Sequence, residues 1–274
     1  MKHVFFLFIF LLPQPAIFAQ TLSGRVLDKK TNTPVPYVNI GIVGKGIGTV
    51  SDMEGYFKMN MHDSLNSQTI RFSCIGYKPI TFSVSDFKKR FTDGAKILLE
   101  ENIVSLNQVV VKPKVFKTKV LGNENNSRMI AAGFFSNDLG SELGVVMHIK
   151  RSPTFIENVK INLASNTVGT AKFRLNIYNI KNGEPDSIIL KEPIFVTTDL
   201  KFGTVTIDLA KYNLYVEHDF LVSIEWIEDY GDKSLYFCSG MMNSNCLYRK
   251  TSQDAWHNAK PVGIGINCKV TYEK

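Results

Sequence analysis

The chain has 274 residues, of which 44% are hydrophobic and 21% charged, with a formal net charge of +7. This length is enough for one large or two ordinary domains. The positive charge is spread along the chain, and its densest run is Lys112, Lys114, Lys117 and Lys119. A nucleic-acid-binding protein concentrates lysine and arginine on one face. We therefore interpret this run as a solvated basic linker and expect no nucleic-acid partner.

The first nineteen residues have the features of an export signal peptide. Lys2 and His3 give a short basic start, residues 4–12 are an unbroken apolar run, and small residues lead up to Ala19. The apolar run is far shorter than the ~20 residues that cross a bilayer. We expect cleavage after Ala19, which removes Lys2 and lowers the net charge from +7 to +6. The mature protein is then expected in the periplasm, on the outer-membrane surface or outside the cell, without a transmembrane span.

The stretch "GIVGKGIGTVSDMEGYF", residues 41–57, is rich in glycine and carries a lysine. A phosphate-binding loop leads from a strand through glycines into a helix, whose exposed N–H groups hold the anion. Here an alternating, strand-like run follows from Tyr56, and Ile47 rather than a lysine follows Gly46. The pattern therefore predicts a hairpin with a glycine-rich bend, then a tight turn from Asp52 to Gly55.

The segments "SGRVLDKKTNTPVPYVNIGIVGKGIGTVSDMEGYFKM" and "IRFSCIGYKPITFSV" lie within about residues 21–100. They resemble the carboxypeptidase-regulatory-like domain, a small prealbumin-like β-sandwich common in exported and outer-membrane proteins of Bacteroidetes. The following "ILLEENIVSLNQVVVKPK" is similar to the segment that joins this domain to the plug of TonB-dependent receptors. The resemblance implies an accessory folding or interaction module and carries no peptidase chemistry.

The rest of the chain alternates apolar and polar residues between turn signals, as half-buried antiparallel strands do. "AKFRLNIYNI" and "DFLVSIEWI" show this period, and "GTVTIDLAKYNLYVEHDFLVSIEWIED" resembles the paired strands of jelly-roll domains. We predict an all-β chain with an N-terminal seven-stranded prealbumin-like sandwich and a C-terminal jelly-roll-like β-sandwich. The predicted division is a signal peptide at 1–19, the first domain at 20–100, a linker with a short strand at 101–125, and the second domain at 126–274.

The sequence offers no recognised catalytic or metal motif. The histidines lack a Glu three residues on, and both His-Glu-x-x-His and Gly-x-Ser-x-Gly are absent. Glu225, Glu228 and Asp229 would suit glycoside hydrolysis, but we assign them to the outward face and exit turn of a strand. Cys238 beside Ser239 lacks a histidine that the sequence would tie to it. We expect neither enzymatic activity nor a cofactor or metal.

The four cysteines are Cys74, Cys238, Cys246 and Cys268. An even number in an exported protein permits disulfides. Cys74 is remote in sequence from the other three, so one bridge among those three is the most that we expect.

Jelly rolls bind sugars with exposed aromatic rings and neighbouring hydrogen-bonding side chains. "RKTSQDAWHNAKP" reads as a polar loop that carries Trp256, whose alternative role is to plug one end of the sandwich. The expected ligand-binding residues are Trp256, His257, Tyr248, Arg249, Asn243 and Tyr236, with Tyr178 and Asn245 as further candidates.

Three functions from different classes remain. The first is a non-catalytic cell-envelope protein with a binding or adhesion role toward carbohydrate or a surface protein. The second is a structural or accessory component of a TonB-dependent receptor-like assembly in the outer membrane. The third is a hydrolase with an unrecognised site. Exposed aromatic clusters favour the first function, an uncovered apolar sheet edge the second, and a cleft with two carboxylates the third.

Overall fold

The computed structural model describes residues 19–91, 94–102, 116–134, 138–241 and 246–274. Within them strands predominate over helix, 56% against 5%, which confirms the all-β prediction. Most of the predicted signal peptide, 1–18, lies outside the described residues, and the first strand begins at Ala19. No helix in the described part of the chain has the length and apolar character needed to cross a bilayer.

The first sandwich has seven described strands and one helix: β1 (Ala19–Asp28), β2 (Asn39–Ile42), β3 (Ile47–Val50), β4 (Tyr56–His62), β5 (Thr69–Ser73), β6 (Ile80–Ser83), α1 (Val84–Arg90) and β7 (Ala95–Leu99). A short 3₁₀ turn spans Asp63–Leu65. One sheet has the order β4-β1-β7 and the other β3-β2-β5-β6. The core between them contains Val26, Ile40, Phe57 and Phe72.

Helix α1 begins with a capped turn and buries two of its residues. The Ser83 hydroxyl accepts a hydrogen bond from the Asp86 N–H, which caps the first turn. Val84 and Phe87 are buried, and the Phe87 ring lies against Phe72, Phe82 and Phe91. The helix therefore closes one end of the first core.

The second sandwich has fifteen described strands: β8 (Phe116–Gly122), β9 (Ala131–Phe134), β10 (Glu142–Met147), β11 (Thr154–Asn166), β12 (Ala171–Lys181), β13 (Glu184–Ile188), β14 (Ile194–Thr198), β15 (Gly203–Asp208), β16 (Tyr215–Val216), β17 (Phe220–Trp226), β18 (Leu235–Met241), β19 (Cys246–Arg249), β20 (His257–Asn258), β21 (Val262–Ile264) and β22 (Ile266–Glu273). A 3₁₀ turn spans Ala210–Tyr212.

These strands form two sheets around one core. The seven-stranded sheet has the order β13-β12-β17-β10-β19-β20, with β14 also on β12. The eight-stranded sheet has the order β21-β18-β11-β22-β8, with β15 and β16 on β11 and β9 on β18. The predicted inner positions of β12 and β17, such as Phe173 and Trp226, are buried in this core. Residues 103–115 of the predicted linker lie outside the described residues, whereas its residues 116–122 form β8 and pair with β22.

Two turns follow from local sequence. Asn182 and Gly183 have φ of 55° and 83° and join β12 to β13, as expected for Asn-Gly in a two-residue hairpin. At the predicted Asp52 turn, the Asp52 carboxylate accepts the N–H groups of Glu54 and Tyr56, and Gly55 supplies the positive φ of 77°.

Candidate functional site

A row of four charged residues crosses the outer face of the seven-stranded sheet. Arg174 pairs in register with Glu225, Glu225 with Glu142, and Glu142 with Arg249, on the strands β12, β17, β10 and β19. All four are buried, the most exposed being Arg249 at 8%. This face of β12 and β17 was expected to be a solvated outer face. It is covered because Tyr37 and Asn39 of the first sandwich contact Arg174, and Trp256 packs over Arg249.

The two glutamates are bound by several donors at once. Arg174 lies 2.7 Å from Glu225 and Arg249 2.6 Å from Glu142, as two buried ion pairs. Asn176 Nδ2 donates to Glu142 Oε1 at 2.9 Å and to Glu225 Oε2 at 2.7 Å. Burial raises the pKa of Glu142, and the Arg249 guanidinium beside it opposes that rise. The network is thus balanced as two cations and two carboxyl groups.

Tyr178 adds a hydroxyl to the same network. It donates to Glu142 Oε2 at 3.2 Å and accepts from Arg249 Nη2 at 3.3 Å. Burial raises the pKa of Tyr178, so the hydroxyl keeps its proton. The Trp256 ring packs edge-on against Tyr178, with centroids 5.6 Å apart, and over the Arg249 guanidinium at 5.1 Å. Trp256 therefore holds two members of the network in place.

The first sandwich completes the cover over Arg174. Arg174 Nη1 donates to the Tyr37 carbonyl and Nη2 to Asn39 Oδ1, both at 2.7 Å. The Tyr37 hydroxyl donates to Glu228 Oε1, and Lys172 Nζ donates to the Tyr37 hydroxyl at 2.8 Å. Glu228, one of the carboxylates weighed for hydrolysis, therefore binds residues of both sandwiches.

The glycine-rich hairpin β2–β3 is the other part of this interdomain contact. A Cβ on Gly41 would lie 2.2 Å from the Ser252 carbonyl oxygen, and one on Gly48 would lie 2.4 Å from it. Gly44 N–H donates to the Gln253 carbonyl at 2.9 Å. The prediction of a hairpin rather than a phosphate loop is confirmed, since β3 follows the glycines. The glycines allow the backbone of one domain to approach the other closely.

A cavity of about 700 Å³ opens between the two sandwiches beside this contact. One wall is the turn around Ile75-Gly76-Tyr77 of the first domain, and the opposite wall is residues 186–191 of the second. The floor contains Arg174, Asn176, Tyr178 and Arg249. Asn39, Arg71, Asn102 and Gln253 add further polar side chains to the lining. The cavity therefore presents amide, guanidinium and phenol groups from both domains.

Two atoms of the floor residues lack a hydrogen-bond partner among the described residues. They are Asn176 Oδ1 and Arg249 Nε, and both are buried. Each has less than 1 Å² of accessible surface, so a molecule in the cavity would meet other atoms of these two residues.

The structure separates the residues predicted to bind a ligand. Arg249 and Trp256 lie together on the outer face with Tyr178, whereas Tyr248 alternates with Arg249 and faces the other way, its ring 5.4 Å from His257. Tyr236 belongs to β18, in the other sheet. Asn243 and Asn245 lie outside the described residues. Of the predicted set, only Arg249 and the further candidate Tyr178 line the cavity.

Arg174, Asn176 and Glu142 were not predicted as site residues. A solvated sheet face gives the same alternation of polar and apolar residues, so the pattern could not distinguish a covered outer face from an exposed one. A weak signal is that both arginines and both glutamates fall on outward positions of central strands.

The solved structures that the chain resembles have low similarity to it. No curated protein matches the chain. The chain resembles the cysteine protease and lectin-like domains of Cwp84, a surface layer associated protein of Clostridium difficile, with a TM-score of 0.40, 8% identity, and coverage of 94% of this chain and 63% of that one. A second structure of this clostridial cysteine protease, after propeptide cleavage, gives a TM-score of 0.40 at 11% identity, with coverage of 94% and 71%.

At these TM-scores the structural likenesses carry no argument about this protein. The chain also spans less than two thirds of the first of these structures. The family model of the CarboxypepD_reg-like domain matches residues 22–111. The first sandwich, which the sequence resemblance placed at about residues 21–100, is thus a CarboxypepD_reg-like domain.

Proposed function

We propose that this protein is a non-catalytic, exported binding protein of the cell envelope that holds a carbohydrate in the cavity between its two sandwiches. The observation that carries the proposal is the cavity of about 700 Å³, whose lining combines guanidinium and amide groups from both sandwiches.

The composition of the lining supports a sugar. Side-chain amides and guanidinium groups hydrogen-bond hydroxyls from fixed planar positions, and Asn39, Asn102, Asn176 and Gln253 supply four amides. Tyr77 on one wall adds an aromatic ring with a polar end. Such a mixture of apolar faces and convergent polar groups is typical of small-ligand sites.

The position of the carboxylates supports a binding role rather than hydrolysis. Glycoside hydrolysis requires two carboxyl groups that flank the scissile bond. Glu142 and Glu225 are both 0% exposed and do not belong to the cavity lining. Asn176 and the two arginines occupy the lining above them. The carboxylates of Glu142 and Glu225 orient these donors, as residues behind a binding site do.

An assembly role in the outer membrane is the second candidate. Among the described strands β8 pairs only with β22, and it exposes Phe116 at 49% and Val120 at 39%. Such an edge can accept a partner's strand. β8 also carries Lys117 and Lys119, and edge lysines are a common protection against pairing. We therefore prefer the cavity as the functional site.

The binding proposal is tested on a glycan array with the protein and a cavity-blocked variant. Ser187 is exposed on the cavity wall, so Ser187→Trp is expected to fill the entrance and abolish glycan retention. Glu184→Trp places the same side chain on β13 outside the lining and is expected to retain binding. Trp256→Ala is expected to weaken binding because Arg249 loses its aromatic cover.

The binding proposal fails if the unmodified protein retains no glycan, or if Ser187→Trp and Glu184→Trp bind equally well. Export is tested separately by fractionation of cells that produce the full chain. A protein that remains in the cytoplasm with its first nineteen residues attached would contradict that part.

A further inference from the structure

Arg71 lies on the face of the first sandwich that contacts the second. On β5 it alternates with the core residues Ile70 and Phe72, so its side chain points out of the first core. Its register partner on β2 is Gly41, where a Cβ would lie 3.1 Å from the Gln253 Cβ of the second sandwich. Side chains of paired residues share one face of a sheet. Arg71 therefore borders the contact between the domains, and it lines the cavity beside that contact.

Lys191 brings a cation to the same cavity from the second sandwich. It follows β13, is exposed and belongs to the lining. The two domains approach each other here, since a Cβ on Gly76 would lie 3.7 Å from the Lys191 carbonyl oxygen. Another interdomain contact borders the cavity where the Gln253 amide donates to Ser73 Oγ at 2.8 Å. The cavity thus receives one exposed cationic residue from each sandwich.

Neither of these cations has an acidic partner within the described ranges. Both residues lack a side-chain hydrogen bond or an ion pair to any other part of the described chain. Other exposed cations of the first sandwich are paired, as Lys29 and Lys78 are with Glu100 at 3.0 and 2.5 Å. Arg71 and Lys191 are therefore available to a ligand.

The buried charges of the floor cancel each other. Arg174 pairs with Glu225 at 2.7 Å and Arg249 with Glu142 at 2.6 Å. The remaining charged residues of the lining decide its net charge, and they are Arg71, Lys191 and Asp186. Two cations against one carboxylate leave a net charge of +1.

This excess of positive charge favours an acidic ligand. A cleft whose charges are mostly of one sign raises the local concentration of ligands of the opposite sign. Asp186 is exposed on β13 and forms no ion pair with Arg71 or Lys191 in the described structure, so it does not neutralise either of them locally. A guanidinium group also binds a carboxylate through two parallel hydrogen bonds, whereas a single hydroxyl oxygen cannot accept both in this way.

From these observations, and resting on the proposed carbohydrate function, we propose that the cavity selects acidic sugars. Arg71 binds the carboxylate of a uronic acid, and Lys191 is a second cation that attracts it. The amides of Asn39, Asn102 and Gln253 in the lining bind hydroxyls of the same ligand. Arg71 is thus the specificity-determining residue, because a neutral sugar keeps the amide contacts and lacks the charged one.

The first test uses matched pairs of probes with the unmodified full chain. Oligosaccharides that end in glucuronic or galacturonic acid are compared with those that end in glucose or galactose, on an array and then by titration calorimetry. We expect the acidic member of the bound pair to bind ~10-fold more tightly. Because both cations are exposed, added salt should weaken binding of the acidic sugar and leave the neutral sugar nearly unchanged.

A protein variant gives an independent measurement. Arg71→Gln removes the charge and keeps a polar side chain, so we expect the acidic sugar to lose ~10-fold in affinity and the neutral sugar to bind as before. Arg151→Gln, at an exposed position outside the lining, is the control and is expected to keep the preference for the acidic sugar. The melting temperature of Arg71→Gln should match that of the unmodified protein, since Arg71 has no side-chain partner among the described residues.

A second pair of variants tests the contribution of Lys191. Lys191→Gln is expected to weaken binding of the acidic sugar less than Arg71→Gln does, because a lysine provides a point charge without the paired hydrogen bonds. Lys181→Gln, also exposed and outside the lining, is its control and should bind normally. The salt series on the unmodified protein decides the question if a variant does not fold.

The outcomes separate the two proposals. If neither member of any pair binds, the carbohydrate function fails and the preference for acidic sugars fails with it. If neutral sugars bind as well as or better than uronic acids, or Arg71→Gln keeps the preference, the assignment of Arg71 is wrong while the binding function stands.

Discussion

Arg174, on the second sandwich, is hydrogen-bonded to Asn39 of the first sandwich through Nη2 at 2.7 Å. The same guanidinium forms the ion pair with Glu225. A single side chain thus belongs both to the buried charge network of the sheet and to the contact between the domains. Disturbing the network should therefore disturb the docking of the first domain.

Replacing Arg174 tests this coupling. Arg174→Met leaves Glu225 buried without its cation and removes two hydrogen bonds to the first domain, so we expect a loss of about 3–5 kcal/mol in unfolding free energy. Urea unfolding followed by the fluorescence of Trp226 and Trp256 measures it. Arg151→Met, at an exposed position, is the control. Equal midpoints for Arg174→Met and the unmodified protein would contradict the prediction.

The glycine hairpin predicts a steric effect at the domain contact. Gly48→Ala would bring a methyl group to 2.4 Å from the Ser252 carbonyl, so the two backbones must separate. The methyl group added by Gly44→Ala has no atom within 4 Å. This variant should therefore lose only the about 1–2 kcal/mol of stability that a positive φ costs a non-glycine residue. We expect the larger loss of thermal stability for Gly48→Ala, with faster hydrogen exchange in 251–254. A larger effect of Gly44→Ala would refute this account.

Glu100 predicts a pH dependence of the first domain. Hydrogen bonds from Lys78 at 2.5 Å and Lys29 at 3.0 Å lower the pKa of Glu100 from 4.5 to about 2. Because the folded pKa lies below the unfolded one, the stabilisation is present above pH 4.5 and is lost as the pH falls toward 2. Glu100→Gln should show a smaller decrease in melting temperature over this range. Added salt should reduce the difference, since the three groups are exposed.

The four cysteines are free thiols, and three of them are buried. Burial raises the pKa of Cys246 to about 11 and of Cys268 to about 12, and it also raises that of Cys238. At pH 8 these three should not react with a thiol reagent in the folded protein. In guanidinium chloride without reductant all four cysteines should react. If only two cysteines reacted in guanidinium chloride, the other two would be joined in a disulfide.

The fold was largely predictable because the alternating pattern reports which strand positions are apolar, as Phe173 and Trp226 illustrate. The pattern could not report that a second domain covers the opposite face. Arg174 and Glu225 therefore looked like solvated residues, although they are buried. The cavity arises from the docking of two sandwiches, and the residues that form it are separated by more than a hundred positions, as Asn39 and Asn176 are. Of the residues predicted to bind a ligand, Arg249 and the further candidate Tyr178 line the cavity.

The Asn182-Gly183 turn determines which residues border the opening of the cavity. It folds β13 back along β12, so the exposed residues Asp186 and Ser187 border the cavity. Neither turn residue packs in the core. A longer or shorter loop at this point would widen or narrow the opening without disturbing the ion pairs beneath. Under the proposed binding function, the size of the molecule admitted could thus change at the periphery while the polar floor stays the same.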